Sequence, residues 1–160
     1  MNPPTKAIPW KDRWNVPTLN DLVKSIAESH RGHFQRSIEE VSKFEKARWA
    51  VRWHGPSWRW SIRVALGDPE DETTPTVCYL VPNPERPVYA IPLRDETIRT
   101  LPKKRLTKYV RDGIRSAKWS VEVFWAHYTP ALDHEANMVF DLIKRTYNHL
   151  AAEPKPPAHS

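Results

Sequence analysis

The run Arg48-Trp49-Ala50-Val51-Arg52-Trp53-His54-Gly55-Pro56-Ser57-Trp58-Arg59-Trp60-Ser61-Ile62-Arg63-Val64-Ala65-Leu66 decides the fold class. Its period is two. Trp49, Val51 and Trp53 alternate with Arg48, Arg52 and His54. Past His54-Gly55-Pro56-Ser57, Trp58, Trp60, Ile62, Val64 and Leu66 face one way, and Arg59, Ser61, Arg63 and Ala65 face the other. Successive side chains of a strand point to opposite faces, so each half reads as a strand with one buried face. A Gly-Pro turn between two such halves predicts a β-hairpin. With Trp53 beside Trp58, the residues Trp49, Trp53, Trp58 and Trp60 share the core face, and Trp119 joins them from a later strand.

Upstream, Thr18 and Asp21 form a helix-start signal. Leu22, Val23, Ile26, Phe34, Ile38, Val41 and Phe44 continue at helical spacing, with Gly32 interrupting. The spacing predicts two helices, about Thr18–Ser29 and Gly32–Glu45, or one bent helix. Residues 1–17, punctuated by Pro3, Pro4, Pro9 and Pro17, read as an irregular arm. Downstream, an acidic loop from Gly67 to Pro75 leads to strands at Thr76–Val81 and Val88–Leu93, where Pro92 points to a strand end at a sheet edge. Asp95 caps a helical turn, a second helix starts at Pro102, and Gly113 marks its end. Trp119–Trp125 alternates as a fifth strand. A final helix follows Thr129-Pro130, and residues 151–160 read as a loose tail. The whole predicts an α+β domain over residues 18–150, a largely antiparallel sheet of about five strands with helices on one face.

Composition narrows the class. The single cysteine, Cys78, cannot make an internal disulfide and sits in an apolar run, which suggests a buried side chain and a reducing, cytoplasmic setting. No apolar run approaches the roughly 18 residues of a membrane span. The formal net charge of +6 favours an acidic partner. His30 and His33 lack the paired cysteines or further histidine of a metal motif, and four glycines leave no phosphate loop, so neither metal nor cofactor is expected.

The polar side of the hairpin is the leading binding candidate. Arg48, Arg52, Arg59 and Arg63 occupy same-side positions, and guanidinium forks suit phosphate and carboxylate. Such a face could hold an anionic small molecule, or single-stranded nucleic acid beside aromatic rings. It could equally be a solvated surface whose arginines pair with Glu122 or helix carboxylates. The basic run Lys103-Lys104-Arg105 reads as an exposed helix face. For acid–base chemistry only His54, Glu122 and His127 present themselves, as parts of a hydrolase or isomerase, and no nucleophile–base pair accompanies them. The sequence therefore points to a noncatalytic binding module, monomeric or homodimeric; a protein-interaction domain is the further alternative.

Several blocks resemble the 3788-like family of small bacterial domains of unknown function, and more distantly the YdhG-type α+β domains. They are Gly55–Arg63, Tyr79-Leu80-Val81-Pro82, Val88–Leu93, Leu101-Pro102, Gly113, Trp119–Val123 and Asp141–Lys144. The acidic insertion at Gly67–Pro75 departs from the family pattern. The resemblance implies an α+β fold and supplies no catalytic residues.

Overall fold

The computed structural model describes residues 8–102, 104–120 and 123–152. It is an α+β fold built on one six-stranded antiparallel sheet. The helices are α1 (Leu19–Ser25), α2 (Glu28–Val41), the short turn α3 (Gly55–Trp58), α4 (Asp95–Thr100), α5 (Lys108–Arg115) and α6 (Asp133–Ala152). The strands are β1 (Ala47–Trp53), β2 (Trp60–Leu66), β3 (Thr76–Val81), β4 (Val88–Leu93), β5 (Lys118–Ser120) and β6 (Val123–Tyr128), in the order β1-β2-β3-β4-β6-β5.

The expected first helix is two helices, but they divide at Ile26-Ala27 rather than at Gly32. Thr18 closes a reciprocal capping box with Asp21, and the extended backbone of Ile26 ends α1. Gly32 lies inside α2, and a side chain there would meet nothing within 4 Å. Gly113 likewise lies inside its helix, which continues to Arg115. It is required because the Tyr128 ring fills the place of a Cβ, and the Tyr128 hydroxyl donates to Val110 O at 2.7 Å.

The expected fifth strand is two strands. Ser120 pairs with Val123 and Trp119 with Phe124, so the chain reverses there. Residues 121–122, Glu122 among them, lie outside the described residues. Pro92 sits in an interior strand, yet Ile91–Leu93 pairs only with β6, because β3 pairs with β4 no further than Ala90. The residue without an N–H donor thus stands where the sheet is locally an edge.

Cross-strand pairs share a face. Val51–Ile62, Ile62–Leu80, Leu80–Tyr89 and Tyr89–Tyr128 therefore trace one face through five strands. Val23 of α1 and Ile26 just beyond it, Phe34, Ile38 and Val41 of α2, Val110 of α5, and Val139, Leu142 and Ile143 of α6 bury that face. The Cys78 thiol is fully buried there, and burial pushes its pKa up, which keeps it protonated. Trp60 joins Trp10, Leu22 and Val81 in a smaller cluster.

The tryptophan expectations divide. Trp60 is buried and Trp49 and Trp53 are half-buried on its face, since Trp53 pairs with Trp60. Trp58 belongs to the α3 turn instead, and Trp119 is 56 % exposed. In the N-terminal arm, Trp10 is buried in a one-turn 3-10 helix and its indole donates to Trp58 O at 2.9 Å. Residues 1–7 and 153–160 lie outside the described residues; Ala151 and Ala152, expected in the tail, belong to α6. Among the described residues no helix is long and apolar enough to cross a membrane.

Candidate functional site: the open face of the sheet

Among the described residues the opposite face carries no helix beyond the four-residue turn α3. Following the same register, it presents Arg48, Ala50 and Arg52 of β1, Ser61, Arg63 and Ala65 of β2, Tyr79 of β3, Ala90 of β4, Trp125 and His127 of β6, and Lys118 of β5. Its centre is a layer of rings. Trp58 lies 4.9 Å from Tyr79, 5.8 Å from Trp125 and 5.8 Å from His127, centroid to centroid. Tyr79 and Trp125 are 5.7 Å apart although β4 runs between their strands. Ala90, paired with both Tyr79 and His127, is small enough for these rings to close above it.

Trp58 reaches this layer through an unusual connection. Gly55 takes φ +87° and Arg59 φ +53°, both in the left-handed region. His54 N–H donates to Arg59 O and Arg59 N–H to Gly55 O, each at 2.7 Å. The Trp58 carbonyl is then held by the Trp10 indole and by the Ser61 hydroxyl, the latter at 2.6 Å. A regular hairpin turn would have left Trp58 in β2; this one lifts it over the other face.

The four arginines do not converge. Arg48 and Arg52 share the open face and Arg48 is exposed. Arg59, expected beside them, is drawn off by its backbone conformation and stacks over the Trp10 ring at 5.1 Å. Arg63 is on the expected face but only 3 % exposed. Its guanidinium donates to Pro69 O, Asp71 O and Thr74 O at 2.7–3.0 Å and to the hydroxyls of Thr74 and Thr76. Burial is tolerated because all its donors are met by oxygens of the loop and of Thr76 at the start of β3. Arg52 makes a lighter contact with the same loop, at Glu70 O, 3.2 Å. Where the sequence offered carboxylates as the alternative partners of these arginines, Arg63 and Arg52 meet backbone carbonyls of residues 69–74 instead.

The two candidate histidines flank the ring layer. His54 packs edge-on against Tyr79 at 4.7 Å, and its Nε2 is buried without a hydrogen-bond partner. Burial, with the positive charges of Arg52 and Arg63, lowers its pKa to about 4 against the opposing negative charge of Glu72. His127 is exposed beside Trp58, and burial of part of its ring with the nearby Lys118 charge lowers its pKa too. Both are neutral at neutral pH. Among the described residues neither is hydrogen-bonded to a hydroxyl or carboxylate, and both present ring surface to the layer.

A second polar cluster, missed in the sequence, lies under α2 and α6. His33 is 2 % exposed and its Nδ1 stands 3.6 Å from Asp133 Oδ1, which also meets Arg36 at 3.2 Å. Ser37 Oγ donates to its own helix at His33 O and lies 3.2 Å from the Tyr89 hydroxyl. The i, i+4 spacing of His33 and Ser37 is the signal that was available. Among the described residues no group of three or more His, Cys, Asp and Glu side chains could hold a metal ion. No protein-family model, curated protein or solved structure matches this chain.

Proposed function

We propose that the protein is a noncatalytic binding module whose open sheet face takes single-stranded nucleic acid. The observation that carries this reading is the ring layer of Trp58, Tyr79, Trp125 and His127. Bases stack on aromatic side chains whatever their sequence, and sheet faces bearing such rings are a recurrent platform for single strands. Lys118 borders the rings on one side and Arg52 and Arg48 on the other. These cations suit the phosphates that join successive bases, and the net charge of +6 has the right sign.

The test is fluorescence anisotropy with labelled oligouridylate and oligothymidylate of about ten nucleotides, a length within the usual span for one such domain. Saturable binding that weakens steeply with salt is expected, and Trp125→Ala should weaken it about tenfold or more, since each stacked base contributes about 1–3 kcal/mol. Absence of binding, or binding indifferent to Trp125→Ala, would overturn the reading.

A second reading, an anionic small ligand, has one observation of its own. Arg59 and Lys11 border a cavity of about 320 Å³ with Trp10, Ser57 and Asn83, although Glu85 lies on its wall. Inorganic phosphate or a mononucleotide held there would respond to Arg59→Ala and ignore Trp125→Ala.

A further inference from the structure

We propose that the free edge of β1 is a docking strand for an extended acidic segment of a protein partner, with its acidic residues four apart. β1 ends the sheet, and its one strand partner among the described residues is β2. Two bonds fix how its backbone points. Lys46 O accepts from Gly67 N–H at 3.1 Å, and His54 N–H donates to Arg59 O at 2.7 Å. The intervening even-numbered residues therefore turn their backbone groups toward β2, and Trp49, Val51 and Trp53 turn theirs outward. Such a row of unpaired donors and acceptors is a template for another strand.

The usual structural guards are missing from this edge. β1 is seven residues long, has no proline, and follows β2 without a break in register. What the edge does have is charge. Arg48 and Arg52 project from it on the open-face side. At its far end Arg13 lies 5.9 Å from the Trp53 ring, next to Trp14, which is 86 % exposed. Among the described residues no carboxylate lies within ion-pair distance of these three arginines.

That charge selects the occupant. A second copy paired antiparallel about Ala50 would set Arg48 of each chain opposite Arg52 of the other, and like charges directly opposite are destabilising. An acidic strand in the same place gains from both positions. Opposite Arg52-Val51-Ala50-Trp49-Arg48 the fitting sequence is acidic, β-branched, small, β-branched, acidic. Its two carboxylates would face the arginines, and its apolar residues would extend the half-buried face of Trp49 and Val51.

The probe is the peptide acetyl-Thr-Glu-Val-Ser-Val-Glu-Thr-amide, with Lys in place of both Glu as the control. In an NMR titration the acidic peptide should bind saturably and slow hydrogen exchange at the Trp49, Val51 and Trp53 amides. The control should bind about tenfold more weakly or worse. Arg48→Glu, at an exposed side chain that makes no hydrogen bond among the described residues, should narrow or reverse that preference without unfolding the protein. Equal affinity for the two peptides, no saturable binding, or binding that leaves the edge amides unchanged would overturn the proposal, as would self-association through β1. Oligouridylate should not slow these amides, so failure of the nucleic-acid reading is read separately.

Discussion

The two faces of the sheet solve the same problem with different materials. One face is covered by α1, α2, α5 and α6, and its centre is made of aliphatic side chains and buried aromatics, with Trp49 and Trp53 half-buried toward the β1 edge. The other is covered by side chains of the sheet itself, by one lifted tryptophan, and by an acidic loop fastened to a buried arginine. Aliphatic packing against helices leaves little for a partner to touch. A layer of half-buried rings bordered by cations is stable and still has surface to offer. The difference teaches that an open sheet face in this chain is a built surface and not an unfinished one.

Stability measurements can break that distinction. Trp60 is buried, its ring stands edge-on to Trp53 at 5.6 Å, and its indole donates to Asp12 O at 2.7 Å. Trp60→Ala should cost about 3–5 kcal/mol by urea unfolding, whereas Trp119→Ala should stay within about 0.5 kcal/mol. Similar losses at the two sites would show that the strand end around Trp119 is as tightly held as the core.

Arg63 sharpens the comparison from the open side. Arg63→Met retains bulk but strands the carbonyls of the loop, and should cost about 2–3 kcal/mol. Arg52→Met, which releases one good contact at a partly exposed site, should cost less than about 1 kcal/mol. A neutral Arg63→Met would mean that the loop holds its shape without the guanidinium.

The smallest expected effect is a slope with pH. The folded-state pKa of His54 is lowered to about 4, against an unfolded value near 6.5. Between those values the unfolded chain binds a proton that the folded chain refuses. The contribution of neutral His54 is therefore fully present above about pH 6.5, declines as pH falls, and is lost below about pH 4. Discounted for solvent screening at a half-exposed site, it is on the order of 1 kcal/mol. His33 and His127, also lowered, act with the same sign. Unfolding midpoints across that range should fall more steeply for the parent than for His54→Asn; parallel slopes would remove His54 from this account.

The hairpin was legible because alternation over β1 and β2 leaves one face apolar, and a one-residue slip would expose all of it. The turn within it was not. Nothing local says that Gly55 and Arg59 both adopt positive φ, and so Trp58 was read onto the wrong face. The division into β5 and β6 was missed because the sequence between Ser120 and Val123 carries no Gly, Asn or Asp turn signal, and the alternation of Trp119 runs on into Trp125. Arg63 and Arg59 show the limit for the site. Both fit the pattern of an exposed basic face, but one is claimed by oxygens six to thirteen residues away and the other by a ring 49 residues upstream. The ring layer depends on strand order, since Tyr79 and Trp125 meet only because β4 separates their strands and carries Ala90 there.

The fastening of residues 69–74 to Arg63 bears on how this chain can be engineered. Exposed acidic loops are the usual places to splice in an affinity tag or to trim a few residues, because a longer loop costs little entropy. Here the loop's backbone is the solvation shell of a buried cation. Shortening it without replacing Arg63 strips that shell, and replacing Arg63 alone leaves the carbonyls idle, so the two must be redesigned together as one cassette.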